Sequence, residues 1–416
     1  MRIREIQVLG AAAALTPLVG TLEPLGLAPL LVVTAVAILV LRVAYDRDRP
    51  WRPKPAIFLF AAFAALGLAS AIWSYNPGAT LHKFPLLAGA LACGVVLLDA
   101  LCACDAEQRA LIGRRLFAGV VIALAILVVE RAAGFPLRHI ERASWPDTHA
   151  LLVSYNRGAT VLAMLIWPAA MILWRKRRLY AVLLVAAALA ILAFYASSAA
   201  LAAIVIGAVA FGLALAWPRA TAATLMAGMI VYIVGSPVIH DRLLDADTLG
   251  LKIENNQLNS AIVPRSGFHR LLIWRFTAQK IAERPVLGWG LESSRFVPGG
   301  KALLDPSEQA LPLHPHNGVL QIWLELGIPG IALLAGLVAW MLLRVRDASW
   351  PAADKAASLA LVAAAFVIVD LSYGIWQGWW VAALLFAATF GVGILPAAAD
   401  RRIKLTTDFR PVAANR

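Results

Sequence analysis

The sequence predicts an all-α, polytopic membrane protein with about twelve transmembrane helices and one long outer loop that contains amphipathic helices. Composition is the first observation behind this fold class: 61% of the 416 residues are hydrophobic and only 15% are charged. The mean hydropathy of +0.77 is the second. The third is the length of the apolar runs, many of which reach the roughly 20 residues that cross a bilayer as a helix. A soluble domain would not need so many such runs.

Twelve apolar windows, taken in order, give the predicted spans. They lie at about 7–22, 26–44, 55–73, 84–102, 114–130, 158–174, 180–196, 199–216, 220–236, 318–343, 356–373 and 376–395. The first window follows a basic start, as in a signal peptide, but the next span begins at once, so we interpret it as a retained helix. The predicted parts are nine spans in 1–236, a long loop in 237–317, three spans in 318–395 and a tail in 396–416.

The basic residues between the spans set the predicted orientation. A formal net charge of +13 would suggest a nucleic-acid partner in a soluble protein, but the positive-inside rule explains it better here. An inner N-terminus places most of these cations inside, for example Arg42, Arg47, Arg49, Arg52, Arg109, Arg114, Arg115, the run 175–178, Arg401 and Arg402. Both termini are therefore predicted to be cytoplasmic, all seven histidines lie outside, and membrane lipids rather than nucleic acid are the expected surroundings.

The long loop is predicted to contain its own helix. Residues 268–283 have helical spacing, Ser266 is a candidate N-cap, and Pro285 follows the end. Apolar residues that include Trp274 share this segment with arginines and a lysine. An amphipathic helix of this composition is typical of a membrane interface.

Two histidines stand where this loop meets a predicted span. The motif is His314, Pro315, His316 and Asn317. An imidazole titrates near neutral pH, so His316 is the candidate general base that accepts a proton from an attacking hydroxyl. The alternative is a histidine that only ties down the junction between loop and helix. His314 is the weaker candidate, with a role in substrate positioning.

A polar stripe continues below the histidines. Asn317, Gln321 and Glu325 are spaced four residues apart and so share nearly one helix face. Polar side chains are costly inside a membrane and usually face a cavity or a partner. Asn317 and Gln321 are predicted to contact substrate, with pairing to other helices as the alternative for Gln321, whereas Glu325 is expected to hold helices together.

Three arginines on the outer side are candidates for binding phosphate. Arg265 and Arg270 lie in the long loop, and Arg157 opens an otherwise apolar span. A guanidinium group binds phosphate through a planar fork, and two or three of them could stabilise a pyrophosphate leaving group without a metal. The alternative is that these side chains are ordinary interfacial residues whose charges reach to water.

Other cofactor and catalytic signatures are weak or missing in the sequence. Asp245, Ala246 and Asp247 match a metal-binding Asp-x-Asp pattern, but so short a match is better interpreted as a solvated loop. The sequence contains neither a Gly-x-x-x-x-Gly-Lys phosphate loop nor a Gly-x-Ser-x-Gly elbow. We therefore expect no metal and no other cofactor.

These motifs together resemble the O-antigen ligase family of bacterial envelope glycosyltransferases. The resemblance rests on His316 and Asn317, followed by Gln321 and then Glu325 with Leu326 and Gly327. It also rests on Arg270 with Trp274, on Pro285 with the Gly288, Trp289, Gly290 triplet, and on Asn156 with Arg157 before a helix that contains Trp167 and Pro168. One departure is Ala199 after Ser197 and Ser198, where relatives often have an arginine.

The resemblance implies an inverting glycosyltransferase of the bacterial inner membrane with a periplasmic active site. The donor would be a glycan on undecaprenyl pyrophosphate, and the acceptor would be the lipid A-core oligosaccharide. His316 would activate the acceptor hydroxyl, Arg265 or Arg270 would hold the pyrophosphate, and Arg157 would be a further phosphate contact. O-antigen polymerases share these motifs and remain the nearest alternative. Protein-glycosylating relatives and, from a different class, a transporter of lipid-linked glycan are less favoured.

Overall fold

The computed structural model describes residues 2–45, 55–141, 148–195, 197–243, 253–254, 257–258, 265–305 and 308–393. Nearly all regular structure in these ranges is helical, with four short strands. The helices are α1 (Arg2–Leu22), α2 (Leu27–Tyr45), α3 (Pro55–Ala69), α4 (Pro77–Cys102), α5 (Ala106–Ala132), α6 (Pro136–Glu141), α7 (Thr148–Ser154), α8 (Asn156–Trp174), α9 (Arg178–Ala193), α10 (Ser198–Ala216), α11 (Pro218–Val238), α12 (Arg265–Glu283), α13 (Gly318–Asp347), α14 (Ala352–Leu371) and α15 (Gly378–Gly393). The strands β1 (Ile253–Glu254) and β2 (Gln257–Leu258) form one antiparallel pair, and β3 (Leu303–Asp305) and β4 (Glu308–Gln309) form another.

The predicted fold class is confirmed. Within the described ranges, nine helices are long and apolar enough to cross a membrane, and three shorter apolar helices lie at Ile57–Ile72, Arg178–Ala193 and Gly378–Gly391. These segments follow the predicted windows in order, while the total of twelve crossings stays a prediction. Large apolar side chains remain exposed along helix faces, for example Val33, Val40 and Val43 on α2. Such faces suit contact with lipid, where apolar surface needs no protein cover.

Helix α8 lies at the centre of the bundle. Every residue from Gly158 to Met171 is buried, and the helix contacts α1, α5, α9, α10, α14 and α15. Gly158 allows α1 to approach closely, because a Cβ there would lie 2.7 Å from the Cα of Thr21. The run 158–171 contains no charged residue, as suits a helix that neighbours surround on every side.

Several helices start earlier in the chain than the sequence predicts, and α4 and α12 are two of them. Helix α4 begins at Pro77, ahead of the predicted 84, because Asn76 caps it by accepting a hydrogen bond from the Ala79 N–H at 3.0 Å. Helix α12 begins at Arg265, so the predicted N-cap Ser266 is wrong: this residue lies inside the first turn. Asp245, Ala246 and Asp247 lie outside the described residues.

Helix α13 is broken near its middle, and the Gly-Trp-Gly triplet fills the break. Gly327 has φ 57° and ψ −150°, and Pro329 has no N–H to donate. The carbonyls of Leu324 and Glu325 instead accept hydrogen bonds from the N–H groups of Trp289 and Gly290, both at 2.8 Å. The loop after α12 thereby replaces the helical hydrogen bonds that α13 loses.

Candidate active site

The histidine motif lies where several helices end at one side of the bundle. Helices α8, α13 and α15 begin there, α14 ends there, and α12 packs against α13. We call this side the site end. Trp274 of α12 fixes the motif by donating from Nε1 to the Pro315 carbonyl at 2.8 Å. A loop is normally mobile, but this one is held by neighbours on both sides.

His316 has the geometry of a base. Its Nδ1 lies 2.7 Å from the Ser372 carbonyl oxygen. A carbonyl only accepts hydrogen bonds, so the proton of the neutral ring is on Nδ1 and the lone pair is on Nε2. Nε2 has no hydrogen-bond partner among the residues that the structure describes. The backbone of His316 has a left-handed φ of 54°, uncommon outside glycine.

Burial and nearby positive charge keep His316 neutral. Burial lowers the pKa of this half-buried ring, and the charges of Arg270 and His269 lower it further, while the hydrogen bond to Ser372 raises it. A lowered pKa leaves the ring unprotonated at neutral pH. The base form is therefore the resting form.

His314 is buried beside His316 and has a polar neighbour at each ring nitrogen. The ring centroids are 4.3 Å apart. Nδ1 accepts the His316 backbone N–H at 3.2 Å, and Nε2 faces the Gln377 amide nitrogen at 3.0 Å. The Gln377 side chain is oriented by Trp379, which donates to its oxygen at 2.9 Å. Burial, with the charges of His316 and Arg295, lowers the pKa of His314 to about 3.

Asn317 and Gln321 direct their hydrogen bonds to protein partners. Asn317 caps α13 through the Leu320 N–H at 2.9 Å and donates to the Tyr232 hydroxyl at 2.9 Å. Gln321 accepts from the Ile375 N–H at 2.9 Å and donates to Glu325 at 3.0 Å. Both side chains are buried, and their role as substrate contacts stays a prediction.

Glu325 ties three segments together below the histidines. Its side chain is fully buried and accepts hydrogen bonds from the Glu292 N–H, from the Ser294 N–H and hydroxyl, from Gln321 and from Trp376. The five hydrogen bonds that the described residues form with the carboxyl group all come from donors, as suits a carboxylate. The residue thus joins α13 to the loop after α12 and to the turn between α14 and α15.

Arg157 and Arg270 converge on this site from α8 and α12. The guanidinium of Arg157 lies 5.5 Å from the ring centroid of Trp379. Burial raises the pKa of Tyr373 to about 12, while a hydrogen bond with Thr160 and the charges of Arg157 and Arg270 lower it. Burial also lowers the pKa of Arg270 itself. In the described part of the chain, neither arginine forms an ion pair with a carboxylate. The side chain of Arg265 lies outside what the structure describes.

The turn between α14 and α15 contributes residues that sequence reasoning missed. Ser372 orients His316, Tyr373 lies near both arginines, and Gln377 with Trp379 orients His314. Gly374 lets the turn reach the His314 ring, since a Cβ there would lie 2.8 Å from its Cδ2. The sequence signal that could have identified these residues is the polar and aromatic run of this turn, which lies between two apolar windows.

The fold and the site define a polytopic membrane protein with a polar centre of histidines and arginines at one end of its bundle. Residues 183–335 match the family described as O-antigen ligase. This segment includes the histidine motif and Arg270, but it excludes Arg157 and Tyr373.

Two curated rickettsial proteins, both named "Putative polysaccharide ligase", extend the similarity. The chain is 30% identical over 346 residues to the protein of Rickettsia conorii, covering 80% of this chain and 78% of that one. It is 32% identical over 276 residues to the protein of Rickettsia prowazekii, covering 64% of each, slightly less than two thirds of that relative. The chain belongs to the O-antigen ligase family. Its family and fold make it a multi-pass membrane protein.

Proposed function

We propose that this protein is an O-antigen ligase that transfers a glycan from undecaprenyl pyrophosphate to the lipid A-core oligosaccharide. The observation that carries the proposal is the His316 ring, whose Nε2 lone pair has no partner in the described part of the chain and on which the charge of Arg270 acts. Arg157 and Arg270 both act on the neighbouring Tyr373, and neither pairs with a described carboxylate. A base and an anion-binding group are what a hydroxyl acceptor and a pyrophosphate donor require. No metal or nucleotide takes part in the proposed reaction.

The proposed step is a single displacement with inversion. The acceptor oxygen attacks the anomeric carbon of the donor glycan while the bond from that carbon to the pyrophosphate oxygen breaks. The hydroxyl proton passes to His316 Nε2, and the Ser372 carbonyl stabilises the imidazolium through Nδ1–H. Arg270 and Arg157 neutralise the charge that develops on the pyrophosphate. His314 keeps the His316 backbone in its left-handed conformation through the hydrogen bond at 3.2 Å.

The proposed location is the periplasmic face of the bacterial inner membrane. The distribution of basic residues supports this orientation, because the predicted outer ends of α8, α13, α14 and α15 are the ends that meet at the site. Both chain termini would then be cytoplasmic. The donor must arrive already activated, since the periplasm lacks nucleotide sugars.

Reconstituted transfer tests the proposal. We expect protein in nanodiscs, given undecaprenyl-pyrophosphate-linked glycan and lipid A-core, to form ligated product, and we expect His316→Ala to lose about 10²–10⁴-fold in rate. The matched control is His139→Ala, which removes an exposed histidine of α6. Full ligation by His316→Ala would refute the role of the base. Glycan growth on the carrier with no product on lipid A-core would identify a polymerase instead.

A further inference from the structure

An open cavity of about 530 Å³ lies at the end of the bundle opposite the site. It is formed where the turn between α10 and α11 meets the turn between α13 and α14. Trp217, Arg219, Trp350 and Lys355 line it. The broken helix α13 runs from the site to this end, a distance of about 45 Å for 30 residues at 1.5 Å each. The cavity is therefore separate from the proposed active site.

Positive charge in the cavity is not balanced by the nearby carboxylates. Lys355 is buried, and its ammonium group donates to the Arg346 carbonyl at 2.8 Å. Asp354 pairs with Arg175 at 2.8 Å, and Asp347 pairs with Arg346 at 2.8 Å. Asp354 therefore has another cation as its partner, whereas the charge of Asp347 also acts on Arg219 and Lys355, so that this one acid faces three cations. Among the residues that the structure describes, neither Arg219 nor Lys355 forms an ion pair.

Backbone dipoles add to this charge. Helix α11 begins at Pro218 and α14 begins at Ala352, both on the cavity wall, and neither start has a side-chain cap. The first N–H groups of a helix have no partner within it and carry a partial positive charge. Two such starts face the same cavity as the two cations.

Two indole rings give the cavity an amphipathic rim. The side chain of Trp217 is 64% exposed, and Trp350 is half-buried against the bundle core. Tryptophan at this position suits the boundary between hydrocarbon and headgroups, since one part of its ring is apolar and its N–H is polar. A ligand at this rim would have both an anionic group and a lipid chain.

We infer that this cavity binds the headgroup of an anionic glycerophospholipid. Arg219 and Lys355 would hold the phosphodiester, the uncapped helix starts would add N–H donors, and Trp217 with Trp350 would pack beside the glycerol and the upper acyl chains. Basic pockets between membrane helices on the cytoplasmic side are a known setting for such headgroups. The volume also lies within the usual range for small-molecule sites, about 300–1,000 Å³.

Lipid retention measured by native mass spectrometry tests the inference. Full-length protein would be released from phosphatidylcholine nanodiscs prepared with or without phosphatidylglycerol. We expect selective retention of phosphatidylglycerol, with Arg219→Gln weakening its affinity about fivefold, as for the loss of one cation near a lipid surface. The matched control is Arg114→Gln, which removes an exposed cation of α5 on the same half of the bundle.

The outcomes separate the possible ligands. Equal retention by Arg219→Gln and Arg114→Gln would overturn the inference, because general surface charge would then explain it. Retention of phosphatidylcholine equal to that of phosphatidylglycerol would also overturn it. So would displacement of phosphatidylglycerol by inorganic phosphate at a concentration similar to that of the lipid. Lys355→Met, which removes the buried cation, should weaken retention as well. If Lys355→Met does not fold, Arg219→Gln alone decides the test. The measurement needs no glycan transfer. A negative result for lipid binding would therefore leave the proposed ligase function untouched.

Discussion

Arg42 and Arg270 show two ways in which one protein holds a guanidinium away from water. Arg42, at the end opposite the site, is buried between Asp99 at 2.9 Å and Glu5 at 3.5 Å. Arg270, at the site end, is half-buried and forms no ion pair within the described residues. Burying a charge costs free energy that a partner offsets. Under the proposed function, Arg42 serves the fold, whereas Arg270 keeps its charge for the donor pyrophosphate.

Replacing Arg42 gives the largest expected effect on stability. Arg42→Ala leaves Asp99 and Glu5 as buried acids without their cation, and breaking such a group costs about 3–5 kcal/mol. We expect a lower thermal unfolding midpoint in detergent. Adding Asp99→Asn should restore part of the loss, because one uncompensated charge is removed. An unchanged thermal unfolding midpoint in Arg42→Ala would show that Arg42 does not stabilise the fold.

Replacing Arg270 should affect catalysis and leave stability unchanged. Loss of a group that stabilises developing negative charge lowers turnover about 10²–10³-fold, equivalent to about 2.7–4 kcal/mol. We expect this loss for Arg270→Ala and a smaller one for Arg270→Lys, which keeps the charge but not the planar fork. Transfer assays and thermal midpoints on the same samples provide the check. Normal turnover would make Arg270 an interfacial anchor.

Replacing Tyr373 should have a smaller effect at the same site. Tyr373→Phe removes the hydroxyl that interacts with Thr160, while the ring can still pack against Trp379 at a centroid distance of 4.7 Å. Loss of one hydrogen bond is worth about 0.5–1.5 kcal/mol, so transfer should fall by about twofold to tenfold. A loss as large as that of Arg270→Ala would mean that the hydroxyl itself contacts the reacting groups.

The pH dependence of kcat/KM gives the smallest expected change. It tests whether the charge of Arg270 acts on His316. Protonated His316 cannot accept a proton, so kcat/KM should fall as pH decreases through its pKa in the folded protein, which lies below the ordinary value of about 6.5. Activity should therefore persist to a lower pH than an ordinary imidazole would allow. The charge of Arg270 contributes to this lowered pKa, so Arg270→Gln should move the acidic limb to higher pH. A limb that stays in place would show that Arg270 does not act on His316.

Several features of the fold and site followed from local sequence. Apolar run length predicted the membrane class, and helical spacing with Pro285 predicted the end of α12. The histidine motif was placed correctly at the junction of loop and helix, because the run after Asn317 is apolar and Asn317 is a favoured cap. These signals lie within a few turns of one helix, where residue type and spacing act directly on the backbone.

Three decisive contacts had no such signal. The carbonyl of Ser372 fixes the tautomer of His316 from 56 residues away, and a backbone carbonyl is the same in every residue. The break at Gly327 is tolerated because Trp289 and Gly290 supply N–H groups from another element. The spacing of Glu325 predicted a polar stripe but could not identify the five donors around it.

The sequence by itself determined the membrane class, the order of the helices and the family, because each depends on hydrophobicity, charge and local spacing. Within the residues that the structure describes, tertiary structure alone decided which nitrogen of His316 is free, which arginines lack an acid, and which polar residues serve the scaffold. Those properties depend on partners that the chain brings together from distant segments, and a hydrogen bond or an ion pair is defined by distance and direction rather than by sequence.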